Sequence, residues 1–208
     1  RRMAAFCDAN RIALIEDDTY SALGDSPTPL KALKAWDRTG NVIYCASLSK
    51  VLAPGLRLGW MAAGRWQGRV QMLKFAQSRP NDSWSQVLAG RFIASGAYDR
   101  HLRTLRQTLR EQRERMAESI AGCFPAGTRL SVPSGGLAMW VELPANVSSM
   151  ELFDAALAQG IRIAPGTMFS NLNRFDHFFR ICFGLEPSAN LEAALATLGQ
   201  LTQQLAER

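Results

Sequence analysis

Residues 42–60 read VIYCASLSKVLAPGLRLGW, and this stretch sets the organisation of the chain. Its two apolar runs predict two strands, and the polar segment between them carries hydroxyls, a lysine, a Pro-Gly break and an arginine. Ser47, Ser49 and Arg57 are donors suited to an anionic group of oxygens. Lys50 is one of four lysines beside twenty arginines. Because lysine can lose its proton, it can also serve as a nucleophile at this turn.

Upstream, the pattern predicts the end of a helix over residues 1–10 and a strand over residues 12–16, buried on both faces as in a parallel sheet. Carboxylates follow this strand, where open α/β sheets place their ligands. Asp17 and Tyr20 are expected to face one cleft, with Asp18 directed elsewhere. Such a carboxylate suits a protonated ring nitrogen and such a phenol suits a phenolate oxygen, although a capped loop explains the same residues.

Downstream, a loop, a short helical turn, helices and strands alternate, and a long helix joins two units. The loop is expected over residues 21–29, the turn over 30–36, a strand over 57–63, helices over 66–77, 84–95 and 98–123, strands over 130–132, 137–143, 161–164 and 178–183, and further helices over 150–159 and 191–206. The chain is therefore expected to be α/β, with residues 1–97 in a first domain and residues 98–208 in an α+β second domain.

Composition indicates a soluble globular protein, with 47% hydrophobic and 20% charged residues in 208. No apolar run or leader suggests a membrane span or export, so the cytoplasm is the default location. Four scattered cysteines and two isolated histidines have no metal-ligand spacing, and the cysteines are expected to be buried thiols. The net charge of +6 is concentrated in residues 100–115, where arginines alternate with leucines. That pattern favours a solvated amphipathic helix over a nucleic-acid surface.

Two alternatives concern Lys50. Ser47-Leu-Ser-Lys50 also spells S-x-x-K, the motif of serine acylases such as penicillin-binding proteins. That class needs the motif to open a helix and needs S-D-N and K-T-G as companions; neither companion is in the sequence, and Pro54-Gly55 opposes a helix. Lys50 can also be an ordinary surface lysine in a loop.

Arg180 stands within an apolar strand at residues 178–183. A buried guanidinium requires an acidic partner. That partner is either an internal Asp or Glu, in a structural ion pair, or the carboxylate of a substrate.

Six segments together resemble the pyridoxal-phosphate-dependent aminotransferases of fold type I. Among these, the chain looks most similar to the aminotransferase-like domain of the MocR subfamily of GntR-type transcriptional regulators. The segments are IEDDTYSAL (15–23), KAWDR (34–38), IYCASLSKVLAPGLRLGWMAAG (43–64), GGLAMWVELP (135–144), IAPGTMFS (163–170) and FFRICFG (178–184).

The resemblance implies a role for each candidate. Lys50 would bind pyridoxal 5'-phosphate covalently and move protons, while Asp17 would pair with the ring nitrogen and Tyr20 with the phenolic oxygen. Arg180 would bind the α-carboxylate of an amino acid. The cofactor phosphate would be held by Ser47, Ser49 and Arg57.

The resemblance also implies the C-terminal portion of a fold type I domain: the later part of the large domain followed by the small domain. The glycine-rich phosphate turn, the ring-stacking aromatic and the asparagine that the family carries upstream are not in this sequence. Three functions follow as expectations: the effector-sensing part of a MocR-type regulator, with DNA bound by a domain outside this chain; a freestanding aminotransferase that moves an amino group to a 2-oxo acid if the domain is complete; or a cofactor-free remnant kept for dimerisation. A homodimer is expected by family likeness.

Overall fold

A computed structural model describes residues 1–26, 28, 30–172 and 174–208. The chain divides into two compact units, Arg1–Arg106 and Gln107–Arg208. Both units mix helices and strands, as the sequence predicts. Their assignment as a large cofactor-binding domain and a small domain, with a boundary after residue 97, stays a prediction. The loop predicted over residues 21–29 includes positions 27 and 29, which lie outside the described residues.

The first unit contains a three-stranded sheet with order β1-β2-β3. β1 and β2 are parallel, with Leu14 opposite Val42, and β3 is antiparallel to β2, with Ser47 opposite Gly59. Its helices and strands are α1 (Arg2–Ala9), β1 (Leu14–Asp17), β2 (Val42–Ser47), β3 (Gly59–Ala62), α2 (Gln67–Gln77) and α3 (Ser83–Ala94). Short 3-10 turns connect them at Ser21–Leu23, Leu33–Trp36, Pro54–Leu56 and Gly64–Trp66.

The prediction that the first strand is buried on both faces is wrong. Within the described residues β1 is an edge strand, and its side chains alternate between half-buried and exposed. Ile15 is 68% exposed. It lines an apolar cavity of about 700 Å³ together with Trp60, Met61 and residues of α2. Parallel pairing to one neighbour therefore does not bring burial of both faces here.

The long helix predicted over residues 98–123 is confirmed as α4 (Ala97–Cys123). Its buried side chains recur at helical spacing: Leu102, Leu109, Met116 and Ile120. The arginine face is solvated in part only, since Arg103 and Arg110 are exposed but Arg113 is buried. No helix in the described part of the chain is long and apolar enough to cross a membrane.

The second unit is built on an antiparallel sheet with order β4-β5-β7-β6. One face is buried, with Met139, Val141 and Phe179 nearly inaccessible to solvent, and the helices contribute Leu152 and Leu198 to the same core. The elements are β4 (Arg129–Ser131), β5 (Ala138–Glu142), α5 (Ser149–Ala158), β6 (Ala164–Pro165), β7 (Phe178–Cys182) and α6 (Ala189–Ala206).

The strand predicted over residues 161–164 is shifted and shorter than expected. The backbone N–H of Ile161 donates to Ala156 O at 2.9 Å and so completes the last turn of α5, while Gly160 adopts a φ of 75°. A left-handed glycine directly after a helix closes that helix in this way. Ile161 is therefore used as part of the helix end, and only Ala164 and Pro165 pair with β7.

The cysteines do not all match the prediction of buried thiols. Cys7 is buried and Cys45 is half-buried, but Cys123 and Cys182 are exposed. Cys123 ends α4, where its carbonyl oxygen would lie 2.1 Å from a Cβ placed on Gly199 of α6. Gly199 therefore allows the backbones of these two helices to approach closely.

Candidate functional site

The carboxyl ends of β1 and β2 lie side by side at one edge of the sheet. Asp17, the last residue of β1, is opposite Cys45, and β2 continues two residues further to Ser47. The N–H of Asp18 donates to Cys45 O at 2.8 Å and extends this pairing beyond the strand. Parallel pairing therefore brings Asp17 and Ser47 to the same edge, where open α/β sheets bind ligands.

The two adjacent aspartates have different partners. Asp18 accepts a hydrogen bond of 2.6 Å from the hydroxyl of Tyr44. Burial and this bond raise the pKa of Tyr44 to about 12, so the phenol keeps its proton and holds Asp18 in place. Asp18 is thus held by a hydrogen bond from Tyr44, whereas Asp17 accepts no hydrogen bond from Tyr44.

The Asp17 carboxylate is exposed and is bonded through one oxygen. Its Oδ1 accepts from the hydroxyl of Thr19 and, at 3.1 Å, from the Thr19 backbone N–H. These bonds hold the pKa of Asp17 below its ordinary value, so the group is ionised at neutral pH. Burial, and then the charge of Asp17, raise the pKa of the Cys45 thiol. Within the described residues, Oδ2 has no hydrogen-bond donor and is accessible to a ligand.

The sequence does not single out Thr19, because Asp-Asp-Thr is common turn chemistry. The turn interpretation and the ligand interpretation of Asp17 are compatible, since the turn uses Oδ1 alone.

We expect Thr19→Val to raise the pKa of Asp17 towards its ordinary value. Valine has a similar shape but no hydroxyl, so the side-chain hydrogen bond is lost while the backbone N–H of residue 19 remains. A carbon-13 NMR titration of the Asp17 carboxyl measures this shift directly. Thr19→Ser keeps the hydroxyl and should leave the pKa low. An unchanged pKa in the valine variant would show that the hydroxyl does not stabilise the carboxylate.

The turn between β2 and β3 is closed by its serines and by Leu58. Ser47 Oγ accepts from the N–H of Ser49 at 3.1 Å and donates to Leu58 O at 3.4 Å. The N–H of Leu48 donates to the same carbonyl oxygen at 2.9 Å. These bonds bring the segment after Ser47 beside the residue that follows Arg57. The turn therefore collects both serines and Arg57 in one short loop, as its sequence predicts.

Backbone geometry around this loop is tightly fixed. Arg57 is in the left-handed region, with a φ of 50°. A Cβ on Gly59 would lie 2.5 Å from Ala46 O, so β3 meets β2 here only because residue 59 has no side chain. His101, which is isolated in the sequence, bonds through Nε2 to Val51 O at 2.7 Å and anchors the residue after Lys50.

Lys50 differs from the other lysines in its surroundings. The ammonium of Lys34 bonds to Asp37 and to Val42 O, and that of Lys74 bonds to three oxygens. Lys31 lies over the Trp36 ring, 5.7 Å from its centroid. Lys50 is exposed, and its Nζ has no hydrogen bond or ion pair within the described part of the chain. The β2 strand ends at Ser47 and no helix begins there, which is not the geometry of an S-x-x-K acylase.

Tyr20 and Arg180 are the remaining candidates. Tyr20 is 48% exposed in the turn after β1, and no contact ties its hydroxyl to Asp17. Arg180 belongs to the second unit, in the middle of β7. The expectation that it is buried is wrong, because its side chain projects from the exposed face of the sheet. A structural ion pair is also wrong for the described residues, since no Asp or Glu among them contacts it. Its partner is instead the Phe169 ring, whose centroid lies 5.0 Å from the guanidinium carbon.

Comparison with known proteins relates this arrangement to one family. The family model for aminotransferase class I and II matches residues 1–198. An uncharacterized HTH-type transcriptional regulator of Escherichia coli, YdcR, is 35% identical over 98% of this chain and 43% of its own length. Aromatic-amino-acid aminotransferase 1 of Thermococcus litoralis is 27% identical over 98% of this chain and 49% of its own.

A solved structure supports the same relation. The kynurenine aminotransferase of Pyrococcus horikoshii, in complex with PMP, is 26% identical and superposes with a TM-score of 0.87, covering 98% of this chain and 50% of that one. The architecture is thus that of a fold type I aminotransferase. The chain spans half or less of the length of each of these relatives.

Proposed function

Because this chain belongs to the family of class I and II aminotransferases, we propose that it binds pyridoxal 5'-phosphate and senses an amino compound as part of a longer MocR-type transcriptional regulator. One observation carries the regulator proposal: the similarity to an HTH-type regulator at 35% identity extends over 98% of the chain. The cofactor proposal is supported by two neighbouring segments: the end of β1, which carries Asp17, and the turn after β2, which carries Ser47, Ser49, Lys50 and Arg57.

The residues at the sheet edge fit the chemical groups of the cofactor. An ionised Asp17 with a free Oδ2 suits a protonated ring nitrogen, and it would keep that nitrogen charged. The loop of Ser47, Ser49 and Arg57 carries hydroxyl and guanidinium groups of the kind that hold a phosphate; the Ser47 hydroxyl, which is 3.4 Å from Leu58 O, would turn to the phosphate when the cofactor binds. Tyr20 would donate to the phenolic oxygen of the ring.

Lys50 would carry the covalent contact and the proton transfers. When bound, pyridoxal phosphate supplies an electrophilic carbon and an electron-withdrawing ring. The Lys50 amine would hold the cofactor covalently and, when free, would accept a proton from the carbon next to the nitrogen of the amino compound. Arg180 would bind the α-carboxylate of that compound and so select amino acids over simple amines.

A second candidate function is a freestanding aminotransferase. It is supported by the similarity to an aromatic-amino-acid aminotransferase over 98% of this chain. Both functions use the same cofactor residues, so the site does not separate them. They differ in the outcome of binding: the regulator converts occupancy into a change in DNA affinity, whereas the enzyme passes an amino group to a 2-oxo acid.

The proposal includes partners and a location. DNA would be bound by a domain outside this chain, and two copies would form a homodimer, as the family likeness implies. A regulator of this kind would work in the cytoplasm, where its DNA is.

Coupling between amino-compound binding and DNA binding is the direct test. The full-length protein is loaded with pyridoxal phosphate, and a DNA duplex that it selects from genomic fragments is labelled for fluorescence anisotropy. We expect at least one of the twenty L-amino acids to change the DNA affinity about fivefold or more, the usual range of allosteric coupling. The Lys50→Arg variant should bind the same duplex without this response.

The competing function predicts a different result in the same samples. Sustained amino transfer to 2-oxoglutarate, with no selected duplex or no effect of any amino acid on the affinity, would replace the regulator proposal with the enzyme. Loss of the response in a control variant such as Lys74→Ala as well would show that the effect of Lys50→Arg is not specific to that lysine.

A further inference from the structure

Phe169 faces the one arginine on the exposed side of β7. It is the last residue of the short 3-10 turn Gly166–Phe169, which follows β6. Its ring lies 5.0 Å from the Arg180 guanidinium carbon, within the range of a cation–π contact. Phe169 is 43% exposed, so it is not simply a core residue.

Arg180 has a tryptophan and an alanine opposite it in the sheet, and its guanidinium contacts Phe169. Trp140 lies directly opposite Arg180 on β5, and Ala164 lies opposite it on β6. The alanine side chain offers the guanidinium no polar partner. Phe169 also meets the Trp140 ring edge-on at 5.3 Å. The phenylalanine is therefore held against the tryptophan while it contacts the guanidinium.

The position of Phe169 is fixed by the loop around it. Trp140 is packed in turn by Phe175 and Phe178, at 5.5 Å and 5.7 Å between ring centroids. Gly166, at the start of the turn, leaves no room for a side chain: a Cβ there would lie 2.2 Å from Phe175 O. The turn that carries Phe169 is thus packed closely against the cluster of Trp140, Phe175 and Phe178.

We infer that Phe169 is a positioning residue, whose ring holds the Arg180 guanidinium so that its N–H edge is directed at a carboxylate-bearing ligand. The inference rests on the proposed role of Arg180. A free arginine on a sheet surface loses rotamer entropy when it is fixed by a ligand. Stacking on an aromatic face restrains the side chain in advance and leaves the in-plane donors free. No acidic side chain among the described residues competes for those donors.

The test compares ligands with and without a carboxylate. In the cofactor-loaded full-length protein, L-amino acids and the corresponding amines lacking the α-carboxylate are titrated, with the cofactor absorbance as the signal. We expect Phe169→Leu to weaken the amino acids about threefold, as a cation–π contact at an exposed site implies, and to leave the amines unchanged. Phe169→Tyr, which keeps the aromatic face, should retain the original affinity. In the Arg180→Ala background Phe169→Leu should have no further effect.

A measurement without ligand separates this inference from the proposed function. Stacking on Phe169 should shift the Arg180 Nε–Hε proton signal upfield in NMR spectra of the full-length protein, and the shift should vanish in Phe169→Leu but persist in Phe169→Tyr. An Arg180 signal that is the same in wild type and Phe169→Leu overturns the positioning role, as does equal weakening of amino acids and amines. If the NMR shift is present but the protein binds neither cofactor nor amino acids, the contact stands and the proposed function fails.

Discussion

Lys50→Ala is expected to abolish covalent attachment of pyridoxal phosphate to the protein. The full-length protein is incubated with the cofactor, reduced with borohydride, digested and examined by mass spectrometry. In the wild type the reduced adduct should be found on Lys50; in the variant no lysine should carry it. The reason is local: Lys50 has an exposed amine without a partner in the described structure, at the turn that joins Ser47 to Arg57. A covalent bond to the cofactor needs a side-chain amine that can lose its proton, and alanine has none.

Lys74→Ala is the matched control, because the Lys74 ammonium is engaged by Ser78, Arg79 and Asn81. This variant should carry the adduct on Lys50 at the wild-type level. Since the Lys50 side chain is exposed, its removal should leave the thermal unfolding midpoint within a few degrees of wild type. A borohydride-stable adduct on another lysine in Lys50→Ala would contradict the assignment of Lys50 as the attachment site of the cofactor.

Periodicity and turn chemistry predicted most of the fold. The helices over residues 67–77, 83–94 and 97–123 were found within a residue or two of their predicted bounds. Asp82 caps the second of them by accepting from the N–H of Ser85 at 2.7 Å, and aspartate is a preferred residue type at this position. These features depend on contacts between residues close in sequence, and for that reason a sequence pattern is sufficient to predict them.

Burial was harder to predict, since it depends on which elements cover a strand. The apolar run of residues 12–16 is compatible with a strand buried on one face or on both faces. In the structure Ile15 is exposed. Arg180 illustrates the reverse case. Its apolar neighbours in sequence predicted a buried charge, but alternate residues of a strand point to opposite faces, and Arg180 shares the exposed face.

The sequence predicted candidate residues for the site, but it did not predict the contacts that these residues make. The sequence put Asp17 just after one strand and Ser47 at the end of another, and the structure adds that these strands, β1 and β2, pair in parallel and so bring the two residues to one edge. Thr19 on Asp17, Tyr44 on Asp18 and Phe169 beside Arg180 were all missed. The partners of the last two are distant in sequence. Thr19 is adjacent to its aspartate, but its residue type fitted an ordinary turn equally well.

Arg180 has the chemistry expected of a carboxylate receptor, and its surroundings favour that role over a structural one. A guanidinium binds a carboxylate through two parallel hydrogen bonds, a geometry that lysine cannot reproduce. Hydrogen bonds to charged groups contribute about 1.5–3 kcal/mol each. In this structure no described acidic residue uses those donors, and the Phe169 ring makes a cation–π contact, with 5.0 Å between its centroid and the guanidinium carbon.

We therefore expect Arg180→Ala to weaken the binding of L-amino acids to the cofactor-loaded full-length protein about 100-fold, equivalent to about 2.7 kcal/mol. The cofactor adduct on Lys50 should remain at the wild-type level, because Arg180 lies in the other compact unit of the chain. Arg180→Lys should recover part of the affinity, since it restores the charge but not the paired hydrogen bonds. Arg129→Ala, which removes an exposed arginine paired with Glu142 in the same sheet, should bind amino acids as wild type does. If Arg180→Ala loses cofactor and amino acid to the same extent, then Arg180 stabilises the fold and does not receive the ligand.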